Sequence, residues 1–231
     1  MTSALRLRVV TLNAMGLRRG PERVGEALRE LRADIVLLQE SGSRRGLRIV
    51  AERARMEYVG DPYAPLRRRV KNALLIRAPW RVAESVHHRF RGSARWYPRG
   101  ALIAHLQRGD AGLWTVSTHL GLSGPERGRH VAELVALLRG RAPLVIGGDL
   151  NAGPESGAVR TLGRLGADLW SVAGTGPGPT FPAGSPEARI DYVFGSANLR
   201  VLRAEVGTGV LVSDHLPVIV DLEITPAAPA S

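Results

Sequence analysis

Six short segments end apolar runs on side chains that can bind a cation, move a proton or donate to an oxyanion. They are Thr11-Leu12-Asn13, Leu37-Leu38-Gln39-Glu40, Val116-Ser117-Thr118-His119, Ile146-Gly147-Gly148-Asp149-Leu150-Asn151, Arg189-Ile190-Asp191-Tyr192 and Ser213-Asp214-His215. Taken singly, Asn13 reads as a turn residue, Glu40 as a helix cap and His119 as an edge histidine. Asp149 and Asn151 say more. A turn at Gly147-Gly148 would set two short polar side chains, spaced i and i+2, on one side of an extended chain. Glycine there also lets backbone approach a ligand closely. Ser213-Asp214-His215 puts an acid beside an imidazole ahead of an apolar strand. Together these residues describe one chemistry. Glu40 and Asp214 are hard oxygen ligands suited to Mg²⁺ or Mn²⁺, and Asn13 can add a carbonyl. With no cysteine in the chain and other duties for the histidines, zinc is disfavoured. His119 and His215 can donate to phosphate oxygens or exchange protons near neutral pH. Asp191 can orient the His215 imidazole. Asp149 can activate a water, with Asn151 holding that water or a phosphoryl oxygen.

Such residues must sit at the ends of regular elements. Leu5–Thr11, Ile35–Leu38, Asn72–Arg77, Arg81–His87, Gly100–Leu106, Leu113–Thr118, Leu144–Ile146, Arg189–Phe194, Arg200–Val206 and Leu216–Leu222 read as strands, being apolar or alternating. Pro21–Leu31, Ser43–Arg55, Pro125–Leu138 and Ser156–Leu165 read as helices, the first from Val24, Leu28 and Leu31 at helical spacing behind Pro21. Strands dominate and helices punctuate both halves. That pattern suits two sheets packed face to face with helices outside. Trp80, Trp114 and Trp170 read as core. His87 and His88 are strand neighbours on opposite faces, and His105 and His130 have no partner motif.

The 231 residues are enough for one core. The reading is one domain over 1–224 and a disordered tail over 225–231. No apolar run reaches a membrane span. Arg6 and Arg8 break the apolar N-terminal stretch, so a secretion signal is not expected and the cytoplasm is the default. Absence of cysteine excludes disulfides and thiolate chemistry. Of 32 basic residues all but Lys71 are arginine, and the net charge is +11. The distribution is uneven. Residues 61–108 hold eleven bases against Asp61 and Glu84, whereas residues 149–231 hold nine acids and five bases. An anionic substrate track beside a cation site fits that separation.

TLNAMG, LLQE, KNALLIR, STHL, GGDLNAGP, RIDYVF and SDHLPV occur in the order found in the endonuclease/exonuclease/phosphatase superfamily. The chain resembles that group from about Leu5 to Leu222; GGDLN and SDHLP are its specific motifs here. The resemblance implies a four-layer α/β/β/α sandwich of two mixed sheets, deoxyribonuclease-like, with the site at one edge. It implies a divalent-metal-dependent phosphoester hydrolase. Asn13, Glu40 and Asp214 resemble the metal-site residues, Asp149 the carboxylate that activates water, and Asn151 the amide beside it. Asp191 and His215 resemble the carboxylate–imidazole pair and His119 the second phosphate-facing histidine. Asn72 resembles an asparagine that approaches the phosphate, and Asp168 an acid of structural support. Thr180, in the Gly/Pro-rich loop before RIDYVF, is a candidate substrate contact, as is Arg99.

The substrate branch is less specified. The STHL histidine resembles the deoxyribonuclease, sphingomyelinase and phosphatase branches. Met15 stands where abasic-site endonucleases usually carry an acid, and the aromatic–Cys–Asp–Arg block of phosphoinositide phosphatases is missing. Arg67, Arg68, Arg69 and Lys71 precede Asn72, while Arg89, Arg91, Arg95 and Arg99 interleave with Phe90, Trp96 and Tyr97. Arginines on phosphates and aromatics on bases suit nucleic acid. A nuclease acting as a monomer is the expected function. The alternatives are a phospholipid phosphodiesterase of sphingomyelinase type on an anionic membrane, a phosphomonoesterase, or an inactive nucleic-acid-binding module.

Overall fold

The computed structural model describes residues 4–61, 69–94 and 96–224. The tail at 225–231 and Arg67, Arg68 and Arg95 lie outside the described residues. In chain order the strands are β1 (Leu5–Asn13), β2 (Ile35–Gln39), β3 (Glu57–Gly60), β4 (Ala73–Ile76), β5 (Arg81–Arg89), β6 (Gly100–Arg108) and β7 (Ala111–His119). They continue as β8 (Leu144–Asp149), β9 (Ala167–Asp168), β10 (Gly174–Thr175), β11 (Asp191–Gly195), β12 (Leu199–Val206) and β13 (Val218–Ile224). The helices are α1 (Pro21–Glu30), α2 (Arg44–Ala54), α3 (Gly124–Leu138), α4 (Gly157–Leu162) and α5 (Leu169–Ala173). Pro21 opens α1. Ser43, Ser123 and Ser156 cap α2, α3 and α4 by accepting the N–H groups of Gly46, Glu126 and Val159.

The strands form two sheets, ordered β10-β12-β13-β1-β2-β4-β3 and β5-β6-β7-β8-β11-β9. Alternation along each strand sorts side chains into layers. Leu7, Val9, Ile35 and Leu37 of the first sheet meet Leu102, Leu106, Val145 and Val193 of the second. On the first sheet's other face Val10, Leu12, Val36 and Leu38 pack under Val24, Leu28, Leu47 and Val50 of α1 and α2. On the second sheet's other face Ile103, Val116, Ile146 and Phe194 pack under Val131, Leu134, Leu138 and Leu162 of α3 and α4. Each such side chain contributes about 1.5–3 kcal/mol on burial. The result is the helix–sheet–sheet–helix order expected from the sequence.

Strand direction decides where polar ends go. β1 runs parallel to β2 and antiparallel to β13, and β2 antiparallel to β4. β7 runs parallel to β8 and antiparallel to β6, and β8 antiparallel to β11. So the C-terminal ends of β1, β2, β7 and β8 lie on the same edges as the N-terminal ends of β4, β6, β11 and β13. All six polar segments read from the sequence fall there.

Some elements differ from expectation. β3 pairs with β4, and β9, α5 and β10 are pieces of two to five residues, too short to show periodicity. Trp80 is buried, but Trp114 and Trp170 are only half-buried. Trp114 instead stacks between His105 and Arg141, and Trp170 packs on Arg189. His130 is buried against Phe90 and accepts the Gly121 N–H. Among the described residues no helix is long and apolar enough to cross a membrane.

Candidate active site

Asp149 is the last residue of β8, and the register sets it opposite His119 of β7 and Asp191 of β11. Gly147 and Gly148 lie within β8, not in the turn expected. The reason is steric. A Cβ at Gly147 would come 2.6 Å from Leu37 Cδ1 in the facing sheet, and one at Gly148 1.9 Å from the Thr118 carbonyl oxygen. The chain turns only afterwards, with Asn151 in a left-handed conformation (φ 49°). The Asn151 N–H donates to Asp149 Oδ1 at 2.9 Å, and its Nδ2 donates to the Leu120 carbonyl at 3.0 Å.

Asp149 is 2% exposed. Its Oδ2 accepts from Asn13 Nδ2 at 2.9 Å and lies 3.2 Å from His119 Nε2 and 3.9 Å from His215 Nε2. Burial alone would raise this carboxyl. The charges of His119 and His215 and the Asn13 donor outweigh burial and hold it below the usual carboxylate range. Asp149 is therefore an anion at neutral pH.

The next pair sits one strand over. His215 Nδ1 donates to Asp191 Oδ2 at 2.9 Å, and Thr180 Oγ1 donates to the same oxygen at 2.6 Å. Thr180 Oγ1 also accepts the Ile190 and Asp191 N–H groups at 3.3 Å. Burial pushes the Asp191 carboxyl up, against the pull of His215 and Thr180. For His215 burial works downwards, but Asp191, Asp149 and Asp214 overcome it and push its pKa up to about 9. The His215 imidazole is therefore protonated at neutral pH.

The opposite wall begins at Glu40, just past β2 (φ 46°). Arg99 Nη1 lies 3.9 Å from Glu40 Oε1 and 2.6 Å from His119 Nε2. Contacts therefore run without a break from Glu40 through Arg99, His119, Asp149, His215 and Asp191 to Thr180. Asn13 turns its carbonyl oxygen to the Met15 N–H at 3.0 Å and its amide to Asp149. Asp214, half-buried, accepts from Ser213 Oγ at 3.2 Å. Asn72 and Thr180, expected to touch substrate, are both buried. Asn72 Nδ2 donates to the Gly100 and Ser117 carbonyls at 2.7 and 2.9 Å.

Three of these side chains, Asp149, Asp191 and His215, offer ligand atoms within 4.8 Å of one another. Among the described residues Asp191 Oδ1 has no hydrogen-bond partner although it is buried, a costly state that a cation would relieve. Carboxylates and an amide oxygen with no thiolate form a donor set that fits a hard divalent ion, while His215, protonated at neutral pH, stays a hydrogen-bond donor beside it. This tight group differs from the expected trio Asn13, Glu40 and Asp214. Glu40 reaches towards Asp149 through Arg99 and His119.

Sequence reasoning did not single out the polar tie beneath the site. Gln39 Nε2 donates to Thr11 Oγ1 at 3.2 Å and to Ser117 Oγ at 3.1 Å, and Ser117 Oγ donates to the Leu38 carbonyl at 2.9 Å. These bonds join the two sheets under Asn13 and Asp149. The available signal was a glutamine closing the otherwise apolar strand Ile35–Gln39. A second missed contact is Arg189, which pairs with Asp168 at 2.6 Å and packs against Tyr192. The basic aromatic segment splits in two: Phe90 is core, whereas Trp96 and Tyr97 are 53% and 69% exposed.

A family model described as the endonuclease/exonuclease/phosphatase family matches residues 10–215. Among solved structures, an endonuclease/exonuclease/phosphatase from Bacteroides vulgatus is similar at 20% identity over 96% of this chain and 100% of that one, TM-score 0.82. A Bacteroides thetaiotaomicron mannosyl-6-phosphatase matches at 19% identity over 94% of this chain and 99% of its own, TM-score 0.76. A humanised D. rerio TDP2 matches at 18% identity over 94% and 98%, TM-score 0.74. At such identities these structures show a shared fold. No curated protein matches the sequence.

Proposed function

The chain belongs to the endonuclease/exonuclease/phosphatase family, whose members are metal-dependent hydrolases of phosphoester bonds, and from that premise we propose that this enzyme cleaves phosphodiester bonds of nucleic acid. The observation that carries the reading is Asp149: a buried anion touched by Asn13, His119 and Asn151, with His215 within 3.9 Å. In the proposed reaction water attacks phosphorus in line with the leaving oxygen. Asp149 orients that water and accepts its proton at Oδ2. Its lowered pKa makes it a weak base, which suffices where the transition state is loose and the proton leaves late. His215 donates from Nε2 to a phosphoryl oxygen, and Arg99, braced against the His119 imidazole, and the Asn151 amide add further donors. One well-placed donor is typically worth about 3–4 kcal/mol. Asp191 holds the His215 imidazole protonated and aimed, and Thr180 holds Asp191.

Glu40 and Asp214 would hold Mg²⁺ or Mn²⁺, together with Asn13, whose carbonyl oxygen keeps a second lone pair. A divalent cation held by these residues would supply neutralisation of the phosphoryl charge. The nucleic-acid preference is supported by two described residues of the basic segment, Lys71, which feels the charge of Glu40, and Arg99, which lies between Glu40 and His119. The test is a panel of plasmid DNA, single-stranded DNA, RNA, sphingomyelin, a sugar phosphate and a chromogenic phosphodiester, each with Mg²⁺, Mn²⁺ or chelator. Metal-dependent cleavage of nucleic acid that weakens steeply with salt is expected. Turnover of sphingomyelin or the phosphomonoester alone overturns the nuclease reading.

A further inference from the structure

We propose that Lys71, Trp96 and Tyr97 form a subsite that grips one unpaired nucleotide beside the cleaved phosphate and so makes the enzyme select single-stranded nucleic acid; the inference rests on the nuclease reading above. Three independent observations meet at this corner. First, Lys71 is the only lysine among 32 basic residues. It is held at the site's rim: its carbonyl accepts the Ser41 N–H at 3.0 Å, and the next residue, Asn72, is locked between β6 and β7. Second, the Lys71 ammonium lies 5.8 Å from the centre of the Tyr97 ring, so two loops far apart in sequence converge. Third, the loop carrying Tyr97 is built for display. The Phe90 N–H donates to the Arg99 carbonyl at 3.0 Å and closes the loop. Phe90 turns inward against His130, while Trp96 and Tyr97 remain 53% and 69% exposed. Tyr97 stands two residues from Arg99, which touches His119.

The chemistry of the corner selects its ligand. A compact ammonium with three donors suits a phosphate oxygen as a point charge. The exposed ring surface of Trp96 and Tyr97 suits bases, which stack on aromatic side chains irrespective of sequence. A duplex keeps its base faces within its own stack, so it can use the ammonium but not the rings. A phospholipid headgroup offers charge and no flat face.

The test is equilibrium binding in chelator, which prevents cleavage, using a fluorescein-labelled oligodeoxythymidine and a duplex of equal length. Wild-type protein binds the single strand more tightly, and unlabelled oligodeoxythymidine quenches tryptophan emission; Trp96→Phe abolishes that quench. Trp96→Ala and Tyr97→Ala, both surface changes that leave the circular dichroism spectrum intact, weaken single-strand binding about tenfold each and duplex binding less than about twofold. Lys71→Gln lowers the magnitude of the single-strand salt slope by about 0.7. Equal losses on both probes, or none on the single strand, overturn the subsite. Emission that shifts with phosphatidylserine vesicles but not with oligonucleotide also overturns it and assigns the corner to a membrane. If the variants bind the single strand like wild type while nucleic acid is still cut, only the subsite falls. If nucleic acid is neither bound nor cut while a chromogenic phosphodiester is hydrolysed, the nuclease reading falls and takes the subsite with it.

Discussion

Asp191→Asn keeps the size of the side chain and removes its charge from beside His215. The rise of the His215 pKa from the ordinary 6.5 to about 9 corresponds to ~3 kcal/mol favouring the protonated imidazole. Burial opposes that rise; the Asp191 hydrogen bond and charge are the largest contributions in its favour, ahead of Asp149 and Asp214. Without the Asp191 charge, His215 in metal-free protein should titrate about two pH units lower, because burial then faces only the more distant carboxylates. Imidazole nitrogen shifts followed by NMR between about pH 5 and 10 measure this directly, with His215→Gln assigning the signal. The sign for stability follows from the raised folded value. Stabilisation by protonated His215 is fully present below about 6.5, the unfolded value, and is lost as pH rises through about 9. Asp191, raised by burial, acts in the same sense, costing stability as pH rises from 3.8 through its folded value. Urea melts of wild type should therefore lose up to about 3 kcal/mol between these limits, and Asp191→Asn should lose far less. A variant His215 that still titrates within half a unit of wild type refutes the assignment of Asp191 as the group that holds the proton there.

Thr180→Val removes the 2.6 Å hydrogen bond to Asp191; kcat should fall about tenfold with KM nearly unchanged, at a stability loss of about 1–2 kcal/mol, and steady-state kinetics with an unchanged kcat would deny Thr180 its supporting place. Leu134→Ala empties a fully buried position under α3; urea denaturation should show a loss of about 2–5 kcal/mol with turnover preserved, and a loss below about 1 kcal/mol would contradict the packing described.

The layers and the reacting edge were legible because they follow from local pattern. Apolar strands ending in Asn13, His119 and Asp149 announce both a strand and the end of it, and the amphipathic spacing of Val131, Leu134 and Leu138 announces α3. What escaped was set by distance in space. Gln39 looks like any polar residue closing a strand until Ser117 of the other sheet is seen beside it. Gly147-Gly148 resembles a turn, and only the nearness of Leu37 and Thr118 shows that it is a strand with no room for a Cβ. Phe90 and Tyr97 share one basic stretch, yet His130 of α3 draws only the first inward. The short β9, α5 and β10 have too few residues for periodicity, and Arg189 reveals its part only through Asp168 and Trp170.

The central claim is that one ionised carboxylate, Asp149, works with a divalent cation to hydrolyse a phosphoester. Its most direct test is the turnover of a chromogenic phosphodiester by wild type and Asp149→Asn, each titrated with Mg²⁺ after chelation. Activity that appears only with the metal, and falls at least a hundredfold in a variant that keeps its circular dichroism spectrum, is the expected result. Full turnover in chelator, or by Asp149→Asn with Mg²⁺, would contradict the account.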